Sequence, residues 1–289
     1  MSHAEAEAAT VGLLHPGRMG GGFGGALADA GHRVLWCRVD RSAATARRAE
    51  EFGLRAVDDL ARLTALSDVI VSICPPHHAP QVAAAVAESG FRGLFLDANG
   101  TTRAALLELA GKLSAADIRV VDGCVIGPCP QDAPGARLHL AGEGDDVARI
   151  ISLFDGTGIR ALDTGGSLGA ASALKTSYAT YQKVAYVLAG IAYAYADAQG
   201  VIEPLVGEAS LITRSPLTEV LEDGMLPSVA SRAWRWGPEL TRCADALREA
   251  GLPGDLADAA IPALERWFPA RDAFDGDTRR ALDLLGGRP

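Results

Sequence analysis

The first residues able to do chemistry lie in the segment Val11-Gly-Leu-Leu-His-Pro-Gly-Arg-Met-Gly20. A loop that cradles a dinucleotide pyrophosphate asks for glycine at three places. These are a tight strand-to-helix turn, the point where backbone approaches the phosphates, and the contact of helix with strand. The register here is His15-x-Gly17-x-x-Gly20, so the second and third glycines are present and a histidine holds the first place. Leu14, His15, Gly17, Arg18, Met19 and Gly20 form the expected phosphate-facing set, with N–H groups of the following helix meeting the anion. His15 must either let the turn relax or occupy a conformation suited to glycine, and its imidazole can lie against the pyrophosphate as a donor. A glycine-rich turn without a ligand is the plain alternative. Further on, Arg38, Arg41 and Ser42 stand where such a fold reads the adenosine ribose. Arginine there accommodates the 2′-phosphate of NADP and a carboxylate accepts from the free 2′-hydroxyl of NAD. The set favours NADP, Asp40 keeps NAD open, and solvated surface arginines are the competing explanation.

The elements that must position these residues follow from the pattern. Strand-like runs at Thr10–Leu14, Arg33–Cys37, Asp68–Ile73, Gly93–Leu96 and Arg119–Val121 alternate with helix-like runs at Phe23–Ala30, Ser42–Phe52, Pro80–Ser89 and Thr102–Leu113. Leu138–Ala141 and Ile159–Leu162 extend the series around a helix at Asp145–Phe154. This alternation predicts a doubly wound parallel sheet of the Rossmann type, an α/β domain over residues 10–164. After Gly165-Gly-Ser-Leu-Gly169 the texture changes, and Ala170 to Ala198 reads as one helix of roughly 40 Å. The remainder is helical, with breaks expected at Pro204, Pro216, Gly224–Pro227, Pro238, Gly251–Gly254 and Pro269. Residues 165–289 are thus expected to form an all-α domain entered through a long connecting helix.

Composition removes several function classes. A net charge of −9 over 289 residues argues against a broad nucleic-acid or anionic-membrane surface. The opening MSHAEAEAAT lacks the basic start and apolar run of a secretory signal and reads as a disordered tail. The longest apolar run, Val184 to Ala196, is short of the roughly 20 residues a membrane helix needs. Cys37, Cys74, Cys124, Cys129 and Cys243 are scattered and odd in number, which fits a reduced, cytoplasmic chain and offers no zinc site. The histidines show no metal-ligand spacing, so no metal is expected.

With these residues in place the sequence resembles the β-hydroxyacid dehydrogenase superfamily, which includes 6-phosphogluconate and 3-hydroxyisobutyrate dehydrogenases. The resemblance is carried by Gly12–Gly20 with Gly31-His32, by Asp68–Pro75, by Asp97-Ala-Asn-Gly-Thr101, by Asp122–Gly127 and by Gly165–Lys175, and it spans roughly residues 10–275. His15-Pro16, Asp97-Ala98-Asn99, Leu174–Tyr178, Ala233–Trp236 and Ala250–Pro253 resemble a branch with a divergent 6-phosphogluconate-dehydrogenase-like C-terminal domain. The resemblance implies a catalytic lysine on the long helix, at Lys175, stabilising charge on the substrate oxygen and moving the proton. It implies that Cys74, Pro75 and Pro76 line the cofactor cleft, and that Asn99 donates to substrate or nicotinamide amide, with a turn-forming Asn-Gly as the rival reading. Cys124 and Val125 lie in the implied substrate loop. His77-His78 are read equally well as part of a solvent-facing turn, and no catalytic role is assigned to them.

Two departures bear on the substrate. The asparagine that such enzymes carry four residues after the lysine is Ala179 here, leaving Tyr178 and Gln182 on that helix face as substitute polar contacts. The serine of the substrate loop is replaced by Ile126, so a larger or less polar substrate than the familiar small acids is expected. Of Trp234 and Trp236, two residues apart, one reaches a pocket at most, and Trp234 is the expected one. Tyr181, Lys183 and Tyr186 read as core or interface. The leading reading is an NADP-dependent oxidoreductase that moves hydride between nicotinamide and a carbonyl or hydroxy group of a small-molecule substrate. An imine reductase on the same scaffold is the alternative, although a protonated Lys175 would repel an iminium. A nicotinamide-binding sensor without catalysis is the third. The small-residue and aromatic faces of the long helix imply a homodimer.

Overall fold

The computed structural model describes residues 8–211, 224–274 and 276–287. Most of the expected tail and the break expected at Pro216 lie outside the described residues. Two compact units are present, residues 1–175 and 176–289, and they divide inside the long helix rather than at the glycine turn before it.

The first unit holds one eight-stranded sheet: β1 Thr10–Leu13, β2 Arg33–Cys37, β3 Arg55–Val57, β4 Val69–Ser72, β5 Leu94–Asp97, β6 Arg119–Ile126, β7 Arg137–Ala141 and β8 Arg160–Asp163. Its order is β3-β2-β1-β4-β5-β6-β7-β8. Strand order reverses between β1 and β4, the point at which an open α/β sheet leaves a crevice beyond its carboxyl ends. Helices α1 Arg18–Asp29, α2 Ala43–Glu51, α3 Leu60–Leu66, α4 Ala79–Glu88, α5 Arg103–Ser114 and α6 Gly144–Leu153 cover the sheet.

Alternation along the strands builds two cores. Val11, Leu13, Val69, Val71, Leu94 and Leu96 point to one face with Phe23 and Leu27 of α1. Ile70 and Phe95 point to the other with Leu63 and Val86. Gly12 shares that second face, and a Cβ there would stand 2.6 Å from both Leu63 and Ile70 side chains. The third residue of β1 is therefore glycine because α3 packs directly on it.

Three expectations are corrected. The sheet is not wholly parallel, because β6 pairs antiparallel with β7 from Asp122↔Ala141 to Ile126↔Arg137. That same pairing extends β6 past Val121, so Asp122–Ile126, expected as a loop, is strand. Helix α1 begins at Arg18 rather than Phe23, with Gly20, Gly21, Gly22, Gly24 and Gly25 buried in it. Glycine lowers helix propensity, but the close packing it permits outweighs that preference. The short β3 and α3 carried too weak a periodicity to be read from sequence.

Helix α7, Ala170–Ala198, begins in the first unit and continues into the second. The second unit adds α8 Ile202–Ser210, α9 Met225–Glu249, α10 Asp255–Glu265 and α11 Thr278–Gly286. The break expected at Pro238 is absent and α9 runs through it. Buried Leu226, Val229, Ala233, Gly237, Leu240 and Ala244 keep three- and four-residue spacing across the proline, so one continuous apolar face offsets the roughly 3 kcal/mol that an interior proline costs. Pro204 likewise lies within the first turn of α8, where proline is tolerated.

Lys183 and Tyr186 are buried in this unit while Tyr181 is exposed. Lys183 Nζ lies 2.9 Å from Glu239 and 5.3 Å from the Trp236 ring centroid. Breaking this buried pair by Glu239→Leu is expected to cost about 3–5 kcal/mol, while Lys183→Met with Glu239→Leu is expected to be neutral or stabilising. Urea unfolding of both variants checks this, and equal destabilisation would contradict it.

A candidate active site at the carboxyl edge of the sheet

The loops leaving the carboxyl ends of β1, β2, β4 and β5 carry most of the residues singled out from sequence. Gly17 caps α1 in an extended conformation with no side-chain cap bond. A Cβ on Gly17 would meet nothing within 4 Å, whereas one on Gly20 would stand 2.2 Å from the His15 carbonyl oxygen. Gly20 is thus fixed by the fold, and Gly17 leaves open space before a helix N-terminus. His15 has no left-handed backbone: among the described non-glycine residues only Asp40, Asp117 and Asp272 have positive φ. The turn has relaxed, so the first place needs no glycine.

Three buried side-chain atoms on loops at this edge have no hydrogen-bond partner: His15 Nδ1, Arg41 Nε and Thr101 Oγ1. The fourth such atom among the described residues is Tyr193 Oη, in the second unit. Buried polar atoms are nearly always satisfied, and these three lie on the loops that follow β1, β2 and β5 at one edge of the sheet. Thr101 was not foreseen, since a threonine before a helix N-cap carries no distinguishing pattern. Burial first, then the charges of Arg41 and His78, hold the His15 imidazole down at a pKa of about 4.

The residues expected to read the ribose divide. Arg38 is exposed and paired with Asp58. Arg41 reaches the Leu14 carbonyl at 3.3 Å. Ser42 is the N-cap of α2, its hydroxyl accepting from the Thr45 amide. Arg48, missed from sequence because it lies mid-helix, donates to the Pro16 carbonyl at 3.3 Å and adds a cation beside the loop. Arg18 pairs with Asp132 at 2.9 Å, and Met19 is half-buried.

Asn99 is bonded within the sheet edge. Its Nδ2 donates to Asp97 Oδ2 at 2.8 Å and Ser72 Oγ at 3.0 Å, and its Oδ1 accepts from the Cys74 amide at 2.6 Å. It joins the end of β4 to that of β5. Cys74 is buried, with its thiol pushed up to about 11 chiefly by burial, and Pro75 and Pro76 follow it in the next turn. Cys124 is also buried and pushed to about 12 by burial, which removes both thiols as nucleophiles.

Burial also raises Asp97 to about 6, against the opposing bonds from Asn99. The folded chain therefore keeps a proton that the unfolded chain releases above its usual value of 3.8. Stability falls as the pH rises from about 4 to about 6 and is flat above. His15 tilts the overlapping window the other way, its contribution present above 6.5 and lost as the pH falls towards 4. The stability of Asp97→Asn relative to the parent is expected to grow by about 2 kcal/mol from pH 4 to pH 6. Parallel urea-unfolding profiles for the two proteins would contradict this.

Lys175 lies on the first turns of α7, half-buried, with its Nζ donating to the Val125 carbonyl of β6 at 3.1 Å. The aliphatic stem passes 3.7 Å from the place a Cβ would take on Gly100, in the turn that Asn99 holds. The geometry brings Lys175, Asn99, Cys124 and Val125 together within the first unit. The other expected substrate contacts belong to the second unit. Gln182 Nε2 donates to Tyr178 Oη at 2.8 Å. Trp234 is engaged on both its polar and flat sides: its Nε1 donates to Asp272 at 3.3 Å and Arg271 lies 3.9 Å from the ring centroid. Trp236 stacks on Tyr186.

Residues 196–267 match a family described as Domain of unknown function (DUF1932). No curated protein sequence matches the chain. Solved structures do match over nearly its whole length. A conserved hypothetical protein from Sinorhizobium meliloti is 20% identical with a TM-score of 0.72, covering 99% of this chain and 98% of its own. A Mycobacterium tuberculosis 3-hydroxyisobutyrate dehydrogenase, solved with L-serine, is 17% identical with a TM-score of 0.75, covering 97% and 99%. An imine reductase variant from Myxococcus stipitatus in complex with NAD+ is 17% identical with a TM-score of 0.57, covering 96% and 99%. The chain has the fold of the 3-hydroxyacid dehydrogenases, with a Rossmann-like N-terminal part and a helical C-terminal part.

Proposed function

We propose that the protein is an NADP-dependent oxidoreductase of the β-hydroxyacid dehydrogenase type, with Lys175 as its acid–base group. The observation that carries this reading is the Lys175 ammonium held on the Val125 carbonyl at the carboxyl edge of the sheet, beside loops whose buried polar atoms lack partners. Those residues fit a dinucleotide. The N-terminus of α1 at Gly17 suits a pyrophosphate, and His15 and Arg41 have donors to spare for phosphate oxygens. Arg41 and the exposed Arg38, with the N-terminus of α2 behind Ser42, favour the 2′-phosphate. NAD remains the alternative cofactor on the same loop.

When bound, the nicotinamide supplies or accepts hydride. The chain's own residues handle the oxygen. In the reducing direction a carbonyl gains hydride at carbon and needs a proton at oxygen. Lys175 commits one ammonium hydrogen to Val125 and keeps two for that oxygen, stabilising its developing charge and then delivering the proton. In the oxidising direction the neutral amine takes the proton back. Asn99 acts at one remove, by fixing the Gly100 turn against the lysine stem. A cationic Lys175 disfavours the iminium of an imine substrate. The deciding experiment is NADPH consumption, repeated with NADH, across aldehydes, keto acids and cyclic imines. Turnover of imines alone would replace this reading by the imine reductase.

The exposed apolar residues of α7 support a homodimer. Leu174, Tyr181 and Leu188 recur every seven residues, and Ile191 follows three later, the spacing of a two-helix seam. Leu188→Glu with Tyr181→Glu is expected to turn a dimer into a monomer at micromolar concentration by light scattering. A wild-type monomer would remove the proposal.

A further inference from the structure

We propose that Asp122, acting through Ser172, is the positioning residue for Lys175, fixing the first turn of the long helix and with it the ammonium one turn further on. The proposal rests on the reading of Lys175 as the acid–base group. Asp122 and Ser172 are both fully buried. The Asp122 carboxylate accepts from the Ser172 amide at 2.9 Å and from the Ser172 hydroxyl at 2.7 Å. The amides of Ala171 and Gly169 donate to it as well. The helix start is thus held by a side chain from β6, fifty residues earlier. Three residues further along that strand, Val125 receives the Lys175 ammonium. One strand grips the helix twice, at its first amides and at its lysine.

A helix start needs no such device. A serine, threonine or aspartate at the N-cap satisfies the free amides locally and stays in water. Bringing a carboxylate from a buried strand adds a desolvation cost, which shows in the raised pKa of Asp122. What the arrangement adds is register: the helix can neither slide nor rotate against β6 without breaking charge-assisted bonds. Ser172 and Lys175 lie three residues apart on one helix face, so a rotation released at Ser172 is felt directly at the ammonium.

The test uses the fact that the chain holds only three lysines, Lys112, Lys175 and Lys183. Lys112 is exposed and pairs with Glu108, and Lys183 is buried, so they serve as internal references. Pulsed acetylation by acetic anhydride, read at each lysine by mass spectrometry across pH, is compared between the parent, Ser172→Ala and Asp122→Asn. The expected result is a change of at least roughly threefold in Lys175 labelling, with both references unchanged and NADPH affinity within about twofold. With a substrate in hand, kcat is expected to fall roughly tenfold at near-constant KM, with the lysine limb of the pH profile displaced. Unchanged Lys175 labelling in Ser172→Ala, the milder variant, overturns the proposal even if Asp122→Asn folds poorly. Altered labelling in a protein that turns over no substrate upholds the positioning role and overturns the oxidoreductase reading instead.

Discussion

Lys175→Ala is expected to lower turnover by about two to four orders of magnitude, the range general acid–base catalysis contributes, while leaving NADPH affinity unchanged. The lysine reaches the Val125 carbonyl and the Gly100 turn, and neither lies on the pyrophosphate loop. Loss of turnover with retained nucleotide binding separates the chemical step from cofactor capture. Stopped-flow hydride transfer alongside a fluorescence titration of NADPH measures both. A variant retaining more than about a tenth of the parent rate would remove Lys175 from the acid–base role.

Gly20→Ala is the second large effect. The added methyl would stand 2.2 Å from a backbone oxygen that cannot swing aside as a side chain can. The His15 turn must move, at an expected cost of about 1–3 kcal/mol of stability, together with a weakening of NADPH binding by roughly tenfold or more, or about 1.4 kcal/mol. Gly17→Ala is the informative contrast. Its methyl meets no protein atom within 4 Å, so the fold should stand while nucleotide binding alone suffers. Unchanged NADPH affinity in Gly17→Ala would mean that the open space before α1 receives no nucleotide.

The legible part of this chain was the part governed by local pattern. Val11, Leu13, Val69, Val71, Leu94 and Leu96 announce their strands because alternate residues fill one core. Lys175 stood out beside a glycine turn that opens a helix. What was hidden depended on partners distant in sequence. The continuation of β6 through Ile126 needed β7 beside it, and the antiparallel reversal left no trace in strand composition. Nothing local shows that Ser72, Asp97 and the Cys74 amide bond the side-chain amide of Asn99. The pairing of Arg38 with Asp58, twenty residues on, is likewise silent in the sequence. Helix α9 hid for the opposite reason: Pro238 is a strong local signal that a continuous buried face overrules.

The relaxed turn at His15 has a consequence for how such chains are recognised. Of the three glycines in the dinucleotide fingerprint, only Gly20 is demanded here by the protein's own atoms; Gly17 answers to open space, and the first place tolerates an ordinary backbone. A pattern that weighs the three glycines equally would pass over this loop, whereas one weighted by steric necessity would find it. Kindred loops are better sought by the third glycine and the strand before it than by the first.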